Sequence, residues 1–257
     1  GHCYLELIEK ETDQDSIIAN IRATIWASSF NKISAFFKSS TGQELKSGIK
    51  VMLKVQVDFH ELYGISLNVR DIDPNYTLGD QARQRAEIIK KLEEAGVLSM
   101  NKELELVRVP QKIAIISSSS AAGYEDFCMQ LNSNAGNYQF YWKLFPASMQ
   151  GDKTPQSIIQ ALDYISEFDD FFEAVVIIRG GGSKTDLSYF DDFELAYYIT
   201  QFPLPIITGI GHERDDSVID EVAHTRCKTP TAVAEFLIDQ AEQFETELDW
   251  LKDQITR

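Results

Sequence analysis

Two rhythms of apolar and polar positions divide the chain. Up to about residue 75, short runs rich in β-branched and aromatic residues recur with partial alternation: "CYLEL", "IIANIRATIWA", "KVMLKVQVDF" and "GISLNVRDI". Alternation sends successive side chains to opposite faces and predicts strands. Between the second and third runs, "SSFNKISAFFKSSTGQELKSG" combines a short helix-like apolar stretch with turn residues. Four or five strands with one helical insert predict a small barrel or another small β domain. "DPNYTLGD" gathers Pro, Asn, Gly and Asp and reads as a boundary. The charged stretch "DQARQRAEIIKKLEEAGVL" then places apolar residues at helical spacing and predicts an amphipathic linker helix.

From Lys112 the rhythm changes to strand, loop, helix, repeated four times. The predicted strands are "KIAIIS", "YQFYWKLF", "AVVIIRG" and "LPIITGI", each followed by a polar or glycine-rich loop and an amphipathic stretch. This alternation predicts an α/β domain with a mostly parallel sheet covered by helices on both faces, and leaves the strand order open. The last segment, "AEQFETELDWLKDQITR", is acidic and helical without a cap, and reads as the start of a longer helix. The expected boundaries are 1–75 for the β domain, 76–110 for the linker, 111–238 for the α/β domain and 239–257 for the start of the long helix.

Composition narrows the class. With 257 residues the chain is long enough for two domains with cores of their own. No apolar run approaches the roughly 20 residues that span a bilayer, so no membrane role is expected. Cys3, Cys128 and Cys227 are odd in number and widely spaced, which suits reduced thiols in a cytoplasmic protein better than a disulfide framework or a zinc site. The formal net charge of −16 runs against a nucleic-acid binder, whose footprint is a basic face, although net charge does not map local potential.

In open parallel sheets, ligands bind beyond the carboxyl ends of the strands, where all four loops lie. "IIRGGGS" leaves a buried-looking strand through Arg179, Gly180, Gly181, Gly182 and Ser183. Bare backbone N–H groups, a following helix start, a guanidinium and a hydroxyl suit a phosphate; a tight turn without ligand is the plainer alternative. The spacing fits neither a dinucleotide fingerprint nor a P-loop. In "TGIGHERDDSVID", His212 and Asp215 stand three apart and share a face of a helix start. Histidine suits proton transfer near neutral pH, and a helix cap with a surface histidine is the alternative. Asp126 follows the first loop as a first-turn acid that could reach the same rim. Lys184, Arg214, Arg226 and Lys228 supply cations within the motif stretch. Thr229 before Pro230 reads as a helix cap. His224 reads as structural, and His60 as an exposed turn residue. Tyr63 is placed at a turn where it could stack a base, and Phe59 in the core.

"RGGGSKTDLSYFDDFELA" with "PIITGIGHERDDSVIDEVAHTRCKTPTAVAE" resembles the large-subunit family of bacterial exodeoxyribonuclease VII. "CYLEL" to "YTLGD" is similar to the oligonucleotide-binding (OB) barrel of that family, and "KIAIISSSSAAGYEDF" and "FPASMQG" to its catalytic domain. Two local departures are the four serines 117–120, where Ser-Pro is frequent, and Cys227-Lys228, where Ala-Pro is common. The resemblance implies an OB-like domain, an α/β catalytic domain and a coiled coil, with this chain truncated at both ends. It implies degradation of single-stranded DNA from either end to oligonucleotides. It also implies a small helical partner subunit along the coiled coil, and catalysis with no required cofactor or with Mg2+. By position, it places the catalytic residues on Asp126, Arg179, His212 and Asp215. A non-catalytic single-strand-binding module that grips phosphate, and a small-molecule enzyme, are the rivals.

Overall fold

The computed structural model describes residues 1–10, 17–62, 64–180, 187–210 and 216–255. His212, Asp215, Arg214, Gly181, Gly182, Ser183, Lys184 and Tyr63 therefore lie outside the described residues. The chain forms two compact units, Gly1–Gln84 and Arg85–Arg257.

In the first unit, β1 (Cys3–Lys10) pairs antiparallel with β2 (Ile17–Ile25). Helix α1 (Ala27–Thr41) follows, then the hairpin of β3 (Met52–His60) and β4 (Gly64–Asp73). Strand β4 returns to lie parallel to β2, which gives the order β1-β2-β4-β3. Ala23 and Ile25 from β2 and Val69 from β4 face the core, Ile72 of β4 joins them across a shift in the β3–β4 register, and Ile33 and Phe37 of α1 close it. Phe59 shares the face of Leu53 and Val55 on β3 but lies at the hairpin end, beyond the buried cluster. It is 74% exposed opposite Ile65, itself exposed, so the assignment of Phe59 to the core is corrected.

Helix α2 (Pro74–Glu94) begins inside the segment read as a boundary. The physical reason is local: Asp73 accepts a hydrogen bond from the Asn75 amide at 3.0 Å, and Pro74 occupies the first helical position, where its missing N–H is no loss. The helix stops at a left-handed Gly96, whose amide donates to the Glu93 carbonyl at 2.9 Å.

The second unit is a five-stranded parallel sheet in the order β6-β5-β7-β8-β9. Its strands are β5 (Lys112–Ser117), β6 (Tyr141–Pro146), β7 (Ala174–Ile178), β8 (Ile206–Gly209) and the two-residue β9 (Thr225–Arg226). Alternate strand residues feed two separate cores. Ile113, Ile115, Val176, Ile178 and Ile207 pack under α3 (Ala122–Asn132) and α7 (Pro230–Ile255). Ala114, Ile116, Val175, Ile177 and Ile206 pack under α4 (Thr154–Ser166), α5 (Phe193–Thr200) and α6 (Val218–Val222). Burial on both faces explains why β7, "AVVII", is apolar at every position. The order reverses between β5 and β7, and a crevice opens beyond the carboxyl ends at such a point.

Candidate active site

The crevice is built by glycines. Gly123, in the first turn of α3, lies so close to Gly180 that an added Cβ would stand 2.6 Å from the Gly180 Cα and 2.9 Å from the Pro230 Cγ. A Cβ on Gly180 would meet the Gly123 nitrogen at 2.9 Å. At the neighbouring strand end, a Cβ on Gly209 would meet the Val233 Cγ2 at 2.6 Å and the Thr229 carbonyl oxygen at 3.0 Å. Gly180 thus owes its lack of a side chain to helix approach: backbone packs against backbone. The ends of β7 and β8 and the first turns of α3 and α7 converge within van der Waals contact.

This convergence sets the electrostatics. Two helix N-termini, each a partial positive charge with outward N–H groups, open at one rim. Arg179 follows β7 directly, and its amide donates to the Gly209 carbonyl at 3.4 Å. Arg179 is only 7% exposed, and a guanidinium stays charged even there, so a permanent cation stands at the carboxyl end of β7. Thr229 caps α7 by accepting from the Ala232 amide at 3.1 Å, as its place before Pro230 predicts. Asp126 lies one turn along α3 from Gly123, with its side chain in solvent. Lys228 is exposed at the α7 end of the rim. Arg226 sits on β9 in a bidentate ion pair with Asp216, which offsets much of its charge. His224 is structural as expected: its ring contacts the Thr225 hydroxyl and the Leu104 carbonyl. His60 ends β3 at the hairpin and is exposed.

Sequence reasoning missed the groups that hold the rim. Asp191, after the short 3-10 turn Ser188–Phe190, accepts from Arg85 Nε at 2.5 Å and from the Val218 amide at 2.8 Å. Burial pushes its carboxyl pKa up, against the lowering effect of Arg85 and the Val218 N–H. Ser217 and Asp220 form a reciprocal cap at the start of α6. Burial, with Asp220 nearby, pushes the Cys227 thiol up to about 11. Asp191 carries no periodic signal because its partners Arg85 and Val218 are remote in sequence, whereas the Ser217–Asp220 cap is local, a serine three residues before an acid. Among the described residues, no group of three or more His, Cys, Asp or Glu side chains could hold a metal ion, and no helix is long and apolar enough to cross a membrane.

Residues 97–257 match the sequence model of the family described as "Exonuclease VII, large subunit", and residues 1–73 match an OB-fold nucleic acid binding domain. A protein of Deinococcus radiodurans named exodeoxyribonuclease 7 large subunit is 36% identical over 245 residues, covering 92% of this chain and 58% of that protein. Proteins of the same name from Thermotoga petrophila and Campylobacter lari are each 30% identical, over 253 and 251 residues. These alignments cover 97% and 98% of this chain, and 58% and 60% of the two relatives. The chain thus spans less than two thirds of the length of these relatives. The β order and helix placement of the first unit agree with the OB-fold match.

Proposed function

This chain belongs to the exonuclease VII large-subunit family, and from that premise we propose that it is the catalytic part of an exodeoxyribonuclease that cuts single-stranded DNA to oligonucleotides. The observation that carries the reading is the convergence at the crevice. Two helix N-termini and the buried cation of Arg179 meet where a parallel sheet reverses its order. That arrangement suits a phosphodiester, whose charge grows on the phosphoryl oxygens as water attacks.

In this reading Arg179, with the backbone of Gly180, Gly181 and Gly182 and the Ser183 hydroxyl, holds the phosphate. His212 moves the proton between water and the leaving sugar oxygen, and Asp215 orients the imidazole. Asp126, exposed at the α3 end of the rim, positions the attacking water or assists binding of Mg2+ where a cation is used. Lys184, Arg214, Arg226 and Lys228 extend the cationic surface along the strand. In the first unit, exposed Phe59, together with Tyr63, offers a base-stacking face.

The partner proposed is a small helical subunit on α7. Leu237, Ala241, Phe244, Leu248, Leu251 and Ile255 alternate at spacings of four and three, the seam of a coiled coil. Leu237 and Ala241 are buried on the sheet, while Leu248, Leu251 and Ile255 are exposed. The enzyme works in the cytoplasm.

The test uses the full-length enzyme with its small subunit and end-labelled single- and double-stranded DNA, with and without EDTA. Cleavage confined to single strands is expected, falling on the order of a hundredfold or more in Arg179→Ala and in His212→Ala. Retention of DNA without cleavage would instead establish a binding module, and near-wild-type rates in both variants would remove the assignment of these residues.

A further inference from the structure

Helix α1 carries no acid in its 15 residues, although the chain has 40. One face of the helix, formed by Ser28, Ser29, Lys32, Ile33 and Phe36, meets Arg70 and Asp71 of β4 across an open groove of about 360 Å³. Helix positions three and four apart share a side, which is why these five line up. Ile33 is buried in the core of the first unit and forms the floor. Phe36 is 52% exposed and stands outside that core.

The polar groups of the groove are largely uncommitted. Among the described residues, the Lys32 ammonium and the Ser28 and Ser29 hydroxyls have no hydrogen-bond or ion-pair partner. Arg70 donates to Gln56 Oε1 at 2.5 Å, a neutral partner that orients the guanidinium without offsetting its charge. Asp71 is the one acid of the lining, and its Oδ1 accepts from the Ile72 amide at 3.0 Å. Two cations less one carboxylate leave the groove with a net charge of +1.

We infer that this groove takes one nucleotide of single-stranded DNA, with an internal phosphodiester between Lys32 and Arg70 and the base on the Phe36 ring. The inference deepens the nuclease reading above and rests on it for the substrate class. Three observations select this occupant. First, a net charge of +1 matches a phosphodiester, which carries one negative charge, better than a terminal phosphate, which carries nearly two at neutral pH. Second, an exposed ring beside cations suits single strands of any sequence, because every base has a face to stack. An acidic peptide would use the cations and leave the ring idle. Third, the serine hydroxyls can donate to phosphate oxygens, as hydroxyls do in many nucleic-acid contacts. The groove is separate from the hairpin end where Phe59 stands. Phe59 pairs with Ile65, and Arg70 lies further along β4 by about 17 Å of extended strand.

The experiment uses the full-length enzyme with its small subunit. Fluorescence anisotropy follows binding of an oligothymidylate linked throughout by phosphorothioates, which keep the backbone charge and resist cleavage. Phe36→Ala should weaken binding by roughly 5- to 150-fold, the range for losing one stacked base. Lys32→Ala should flatten the log–log salt dependence by about 0.7, the share of one phosphate contact. Arg70→Gln should weaken binding, and Arg70→Lys should retain most of it. Lys38→Ala removes the same charge from the same helix, but outside the groove and from a pair with Glu44, and should leave the slope unchanged. On cleavable DNA, KM should rise in Phe36→Ala while kcat stays within about twofold, as for a contact made equally in the ground and transition states. Lys32, Phe36 and Arg70 are exposed, so melting midpoints should hold within about 2 °C. Should Phe36→Ala lose more than that, Phe36→Leu removes the stacking ring and keeps apolar bulk. Unchanged affinity in Phe36→Ala together with an unchanged slope in Lys32→Ala overturns the inference. Displacement of the oligonucleotide by inorganic phosphate at matched ionic strength overturns it in favour of a free-anion site, and displacement by polyglutamate in favour of a peptide site. If the wild-type enzyme shows these binding responses but cuts no DNA, the nuclease reading falls and the groove stands. If it cuts DNA and the variants change neither affinity nor slope, the groove falls and the nuclease reading stands.

Discussion

Replacing Gly123 by alanine tests the architecture of the crevice directly. In the interior of a helix, Gly→Ala is worth about 0.5–1 kcal/mol in favour of folding. At Gly123 the new Cβ would stand 2.6 Å from the Gly180 Cα, 2.9 Å from the Pro230 Cγ and 3.2 Å from the Gly180 nitrogen. Carbon atoms settle at roughly 3.5–4 Å, so α3 and the end of β7 must part by about 1 Å. Two of the three obstacles are backbone, and no side-chain rotation relieves them. Taken at mid-range, overpacking of this kind costs about 2 kcal/mol, which leaves a net loss of about 1 kcal/mol after the helix gain. For a protein of this size that lowers the melting midpoint by about 2–4 °C. The proposed phosphate site straddles the same contact, so the rate should fall more steeply, by on the order of tenfold to a hundredfold. The control is Gly79→Ala, exposed within α2 with nothing within 4 Å of its Cβ, which should stabilise the protein. Calorimetry and a single-strand cleavage assay measure both effects. A Gly123→Ala protein as stable and as active as wild type would refute the backbone contact on which the crevice depends.

Asn101 is fully buried and makes four hydrogen bonds, to the Phe202 and Leu204 carbonyls and from the Ile206 and His224 amides. Asn101→Ala strands these groups and should cost about 3 kcal/mol or more in denaturant unfolding. The Cys227 thiol, raised from 9.0 to about 11, should resist iodoacetamide in the native protein at pH values where an exposed thiol reacts. Its folded pKa lies above its unfolded one, so its contribution is full below pH 9.0 and is lost as pH rises towards about 11; Cys227→Ser should flatten stability across that window. Affinity for single-stranded DNA should fall with salt, with a log–log slope of about −0.7 per phosphate contacted, and a salt-independent titration would contradict phosphate recognition.

The β rhythm of the first unit and the four strand–loop–helix repeats were legible because burial imposes a period on neighbouring residues. Elements that depend on remote partners were not. Strand β9 is two residues long and exists only because it lies against β8. Pro74 and Gly79 resemble breakers until Asp73 is seen to cap the helix they begin. Phe59 has the composition of a core residue and shares the face of Leu53 and Val55, but it lies at the hairpin end of β3 and is exposed. At the candidate site, sequence singled out Arg179 and the glycines after it, yet not the reason Gly180 is bare. That reason is Gly123, another glycine 57 positions away in the chain. Asp191 read as one more acid in an acidic stretch, because both its partners belong to distant segments.

Helix α7 begins at the crevice, with Val233 against Gly209, and continues unbroken for 26 residues. At 1.5 Å per residue that is a rod of about 39 Å. Along the way Tyr138 donates to Glu245 at 2.6 Å and Arg108 to Glu247 at 2.7 Å, which braces the shaft against the body. Such a rod is a lever with a fulcrum: torque applied at Leu251 or Ile255 is delivered, reduced in amplitude, to the turn that closes on the end of β8.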